Sequence, residues 1–188
     1  ELPLLADNLD LFTYRSVLEC FFGLYAPLEE GLGKLRPCLA ELTDLEQRWK
    51  TPLLAHDLSA LGVRLPDVPL SPYGNLPLES RAQALGVMYV LEGATLGGQI
   101  MARHVRERLH LDEANGASFL QGYGRLTGPR WQAFLTVARR LIGDHAEASE
   151  AVASAGRTFE AFLSWSRRCG LAHLPPSGTK PGANLPGP

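Results

Sequence analysis

Neither charge is in excess in this sequence. Eighteen basic residues against twenty acidic ones leave a formal charge of −2, so bulk electrostatics gives nucleic acid no hold on the chain. Cysteine is scarce. Cys20, Cys38 and Cys169 are an odd number with no C-x-x-C spacing, which excludes a disulfide framework and a paired-cysteine metal site and reads as reduced thiols in a cytoplasmic protein. The chain opens at Glu1 with no secretory signal pattern. No run alternates strictly between apolar and polar residues, and no internal repeat is visible. There is no phosphate-binding glycine loop in strand–helix context, no H-E-x-x-H and no nucleophile elbow. One apolar run, Ala82 to Ala102, approaches membrane length, with Glu92 its only charge. Gln83, Thr95, Gln99 and several glycines argue against a membrane span there.

What is present is ordinary globular material. The 188 residues are 45% hydrophobic and 20% charged, enough for one domain that needs no disulfide or structural metal. Apolar spacing of three and four predicts a helix over 11–25 with Asp10 as N-cap. Pro27 is expected to kink it or to open a second short helix through Leu35, which Pro37 closes. A further helical pattern covers 44–61, with Pro52 as an interruption. Residues 62–77 carry four prolines and two glycines and read as a long connector packed over the surface. One long helix is expected over 78–109, charged at its ends and apolar almost all round because neighbours cover it. Two more helices follow, one over 127–142 with Pro129 at its first position, the other over 146–168. The fold class is all-α, with six or so helices in a single domain spanning 1–173. A Pro/Gly-rich tail, 174–188, reads as extended or disordered.

The central helix poses a physical question. Gly93, Gly97 and Gly98 lie inside it, and each costs roughly 1 kcal/mol against alanine. Close helix packing would offset that cost; so would a ligand approaching bare backbone, with the glycine pair allowing a bend. Tyr89, four residues before Gly93, and Met101, four after Gly97, can share that face. Together they would wall a flat apolar ligand with polar edges, although plain core packing also accounts for either residue alone.

The run Tyr89-Val90-Leu91-Glu92-Gly93-Ala94-Thr95-Leu96-Gly97-Gly98-Gln99 resembles the distal helix of bacterial haem oxygenases, in particular the biliverdin-forming group associated with bacteriophytochromes. Phe21 to Glu29, Lys50 to Leu54, Gly116 to Phe119, Gly122 to Gly124, and Trp131 with Phe134 extend the resemblance over most of the chain. It implies a haem-oxygenase-like helical fold with haem sandwiched between proximal and distal helices. Haem would be substrate and cofactor together. O2 and electrons from a reductase, ferredoxin or similar donor would open the ring to biliverdin, carbon monoxide and ferrous iron. A phytochrome would be a possible recipient of the biliverdin; nucleic acid and membrane are not expected partners.

By position in the motif, Gly93 and Gly97 would let the distal backbone lie over the iron, Gly98 would support the bend, and Tyr89 would hydrogen-bond a haem propionate. Met101 and Phe162 would line the macrocycle. The resemblance also shows two departures. The family's axial histidine would fall a few residues before Glu1, so no metal ligand is assigned within this chain. His56, His104, His110, His145 and His173 do not match that position, and His104 reads as a packing or surface residue. The aspartate that some members carry after the first distal glycine is here Ala94, which leaves Thr95 and ordered water for proton delivery. Glu92 reads as a helix carboxylate paired with a neighbour or satisfied by backbone, Arg103, Arg106 and Arg108 as a solvated face, and Gly122-Tyr123-Gly124 as a turn. The alternative to the enzyme is a non-catalytic haem- or bilin-binding helical module on the same scaffold that has lost the proximal histidine.

Overall fold

The computed structural model describes residues 3–171, and the proposed tail, 174–188, lies outside them. The described residues form α1 (Leu11–Lys34), α2 (Thr51–Ala60), α3 (Arg81–Leu109), α4 (Ser118–Gln121), α5 (Thr127–Leu141) and α6 (His145–Arg168), with short 3-10 turns between them and no strand. The all-α expectation is met. Among the described residues no helix is long and apolar enough to cross a membrane.

Asp10 caps α1 as expected, accepting the Thr13 N–H at 2.7 Å. Pro27, however, does not divide α1; the helix continues to Lys34. A proline leaves the carbonyl four residues earlier without its helical donor. Here that carbonyl is Gly23, and the Ser71 N–H from the 62–77 connector donates to it at 2.8 Å. The same connector presses closely against α1. A Cβ on Gly23 would stand 2.4 Å from the Pro69 carbonyl, and one on Gly74 would stand 2.4 Å from Pro27 Cγ. The connector therefore substitutes for the missing hydrogen bond and packs onto the surface it exposes.

Pro52 opens α2 rather than interrupting a longer helix. A 3-10 turn, Leu45–Arg48, precedes it, and Pro52 stands in the first turn of Thr51–Ala60, where its missing N–H costs nothing. Glu29 of α1 reaches across to the start of α2 and accepts the Lys50 and Thr51 N–H groups at 2.6 and 2.9 Å. Asp57 of α2 does the same for α4, accepting from Ser118 N at 2.9 Å, Ser118 Oγ at 2.7 Å and Phe119 N at 2.7 Å. Pro129 lies at the third position of α5, not the first, since that helix begins at Thr127.

α3 begins at Arg81, capped by Ser80 accepting from Gln83 N. Its most extensive partner is α6. Gly86 makes that crossing close, because a Cβ there would lie 2.2 Å from the Ala151 carbonyl. Trp165 of α6 ties in α1, its indole N–H donating to the Cys20 carbonyl at 2.8 Å. Neighbours do not cover α3 all round. From Ala82 to Glu92 it is largely buried, but Ala94, Leu96 and Gly97 are exposed and Gly93 and Thr95 only half-buried. The physical reason is a cavity.

Candidate functional site

A cavity of about 560 Å³ opens along the middle of α3, within the size range of sites for small organic ligands. α1 contributes Phe21 and Tyr25, and α6 contributes Phe159 and Phe162. Phe119, Leu120 and Trp131 complete the lining. The aromatic lining is mutually braced: Tyr25 meets Phe119 and Phe162 edge-on at 5.5 and 5.7 Å between ring centroids. Tyr25 is the one deeply buried polar side chain in the lining, at 2% exposure. Burial, and then the nearby Glu29 and Glu92 carboxylates, hold its phenol far above the ordinary range, so it stays a neutral donor.

Five of the six site residues named from sequence line this space: Tyr89, Gly93, Gly98, Met101 and Phe162. Gly97 is exposed beside it, and Met101 Cε is the nearest atom that a Cβ at this position would meet, at 3.8 Å. Tyr89 stands at the rim, 47% exposed, its ring 5.2 Å from that of Trp131.

The glycines of α3 divide into two kinds. Gly86, which the motif did not single out, and Gly98 are packing glycines: a Cβ on Gly98 would stand 2.5 Å from the Leu120 carbonyl. Gly93 and Gly97 are different. A Cβ on Gly93 would make ordinary contact with Trp131 at 3.6 Å, and on Gly97 with Met101 at 3.8 Å. Contacts within the protein therefore give no reason for glycine at 93 or 97.

Glu92 faces away from the cavity into a buried ionic cluster. Arg48 Nη1 donates to it at 2.5 Å, Lys50 Nζ at 3.1 Å and the Tyr123 hydroxyl at 2.7 Å. Arg48 also pairs with Asp44 at 2.8 Å. Two cations thus meet two carboxylates, which is what makes charge tolerable at this depth. Burial opposes the Arg48 charge, but Asp44 and Glu92 outweigh it and raise its pKa; burial lowers that of Lys50. The ring of Tyr123 lies between two cations, 4.3 Å from Lys50 Nζ and 4.6 Å from the Arg130 guanidinium carbon. The expectation that Glu92 is paired holds. Its partners were not foreseen, and Tyr123 is one of them rather than a mere turn.

No histidine is among the cavity residues. His104, half-buried, has Nε2 3.0 Å from the Ala6 carbonyl and pins the N-terminal segment against α3. Arg103, Arg106 and Arg108 are exposed. Among the described residues no group of three or more His, Cys, Asp or Glu side chains could hold a metal ion.

The family model described as Heme oxygenase matches residues 2–168. The chain belongs to the haem oxygenase family. A curated haem oxygenase from Xanthomonas campestris pv. campestris is 30% identical over 158 residues, covering 82% of this chain and 89% of that protein. The fold also matches two solved haem oxygenases. The Neisseria meningitidis enzyme, solved with NO and CO bound, superposes with a TM-score of 0.72 at 22% identity, over 95% of this chain and 86% of its own. The Leptospira interrogans enzyme superposes with a TM-score of 0.73 at 20% identity, over 87% and 86%. Family membership makes haem oxygenation the activity class, and a haem oxygenase requires haem and a source of electrons. The lining residues suit the macrocycle: an apolar, aromatic-walled space beside bare helix backbone.

Proposed function

We propose that the cavity along α3 is the haem site of an enzyme that opens haem to biliverdin. The observation that carries this reading is the pair Gly93 and Gly97. Together they cost α3 about 2 kcal/mol relative to alanine, and no contact within the protein requires either of them. A flat ligand pressed against that backbone supplies the missing reason. When bound, the haem supplies the reactive iron and is itself the ring that O2 attacks.

The chain's own residues then have separable tasks. Phe119, Phe159 and Phe162 desolvate the macrocycle and exclude bulk water. Met101 fills the irregular edge below Gly97. The bare backbone at Gly93 and Gly97 would limit the room over one face of a bound macrocycle. Tyr89, at the rim, is placed to donate to a propionate while keeping contact with solvent. Thr95 donates its hydroxyl proton to the Glu92 carbonyl at 2.6 Å, so its oxygen is left as an acceptor for ordered water. Ala94 offers no acid in this neighbourhood, and the buried phenol of Tyr25, held neutral, is a hydrogen-bond donor in the lining rather than a source of protons. The free state of Cys20, Cys38 and Cys169 supports a cytoplasmic location, where a reductase or ferredoxin would deliver electrons. A phytochrome as the recipient of the product rests on the sequence resemblance alone.

The test is a hemin titration of the full-length protein followed by ascorbate or a reductase under air. The reading expects a Soret band that decays as a bilin spectrum grows. A haem complex that is stable under these conditions would contradict it.

A further inference from the structure

The span along the cavity, Gly93 to Gly97, contains no buried residue; Gly93 to Leu96 line the space and Gly97 is exposed beside it. Buried residues resume on either side of it, at Glu92 and at Gly98. Its helix is also intrinsically soft. Two glycines lie within it, and the Thr95 hydroxyl bonds back to the Glu92 carbonyl, an arrangement that bends helices. A soft span with an open side takes its position from whatever holds its two ends.

Both ends are held by one segment, the end of α4 together with the turn that follows it. At the N-terminal end the Tyr123 hydroxyl donates to Glu92 Oε1 at 2.7 Å, while Lys50 Nζ reaches the same hydroxyl at 2.5 Å and Glu92 at 3.1 Å. At the C-terminal end the Leu120 carbonyl abuts Gly98 so closely that no Cβ would fit, and Gln99 Nε2 donates to the Gly124 carbonyl. The turn can reach both ends because Gly122 and Gly124 adopt φ of 53° and 55°, a region that glycine enters freely. Neither Tyr123, Gln99 nor Glu92 lines the cavity.

We propose that the segment Leu120–Gly124, the end of α4 and the turn after it, is a clasp that sets the height of the Gly93–Gly97 backbone over the haem, with Tyr123 and Gln99 as positioning residues for the ring-opening reaction. The proposal rests on the haem-site reading above. Its consequence is specific. Loosening the clasp at either end should change which meso carbon is attacked and how many haem poses coexist, with little change in whether haem binds.

Tyr123→Phe removes the hydroxyl that bridges Glu92 and Lys50 but keeps the ring between its two cations. Gln99→Leu removes the other attachment at an exposed position and so stays informative should the buried change impair folding. Full-length proteins loaded with haem would be compared by biliverdin isomer ratio after turnover, by electron paramagnetic resonance of the ferric complex, and by melting temperature. The proposal expects each variant to alter the isomer ratio, to show additional ferric species and to lower kcat by about 10- to 100-fold, as misplacement of a reacting group by an ångström does. Haem affinity would stay near that of the wild type. A purely structural role would lower melting temperature while leaving isomer ratio and resonance unchanged, and that result would overturn the clasp. Wild-type protein that binds haem but forms no biliverdin would overturn the functional reading as well, so the two failures are distinguishable.

Discussion

Gly97→Ala separates the ligand account from a packing account. The position is exposed, and the nearest atom to an added Cβ is Met101 Cε at 3.8 Å, an ordinary contact to the end of a flexible side chain. Nothing within the protein should resist the methyl group. Alanine is favoured over glycine in a helix interior by about 1 kcal/mol, so the apoprotein should become more stable by that order. For a domain of this size the melting temperature should rise by about 2–4 °C. The haem complex should respond in the opposite sense, because the methyl group projects into the face that the backbone is proposed to present. The assay pairs thermal unfolding of the apoprotein, followed by circular dichroism, with hemin titration and turnover. Stabilisation together with weakened haem binding or slower ring opening is expected. A lower melting temperature would refute the reasoning, since it would mean that Gly97 serves packing. Stabilisation with unchanged haem chemistry would refute it equally, since the glycine would then serve nothing.

Gly86→Ala should do the reverse, losing about 1–3 kcal/mol in chemical denaturation, because its Cβ would stand 2.2 Å from the Ala151 backbone carbonyl and the α3–α6 crossing would have to open. Asp57→Ala should destabilise by about 2 kcal/mol or more, read by urea titration, since it leaves Ser118 and Phe119 N–H groups without their buried acceptor. Tyr89→Phe should weaken haem affinity by about tenfold without moving the melting temperature, the loss of one charge-assisted hydrogen bond at a half-exposed rim. Glu29 gives a pH signature. Burial raises its pKa above the ordinary 4.5 against the opposing hydrogen bonds from Lys50 and Thr51. The folded carboxyl therefore holds its proton more tightly than the unfolded one. Its contribution is fully present below pH 4.5 and is lost as pH rises through the folded value, so Glu29→Gln should flatten the stability profile above pH 4.5.

Local signals in the sequence carried well. The Asp10 cap, the periodicity of α1, α5 and α6, and the glycine run of α3 are each properties of a few adjacent residues, and each is found where it was expected. The errors came from partners distant in sequence. Pro27 reads as a break because the donor that compensates for it, Ser71, belongs to a connector with no regular pattern. Glu92 was legible as a paired carboxylate, but Arg48, Lys50 and Tyr123 lie 44, 42 and 31 residues away, and no spacing rule links them. In the cavity, Tyr89, Gly93, Gly98 and Met101 were readable because they share one helix and one motif. Phe21, Tyr25, Phe119 and Phe159 were missed because an aromatic residue on an amphipathic face looks the same whether it meets a neighbour or an open space. The sorting of α3 glycines into packing and non-packing positions also needed the three-dimensional structure, since it depends on backbone carbonyls of α4 and α6.

The most direct measurement is a crystal structure of the full-length protein with haem bound. The account predicts a macrocycle lying against α3, in van der Waals contact, about 3.5–4 Å, with the main chain at Gly93 and Gly97, its edge beside Met101 and Phe162. Haem bound elsewhere, or held off that backbone by an intervening side chain, would contradict it.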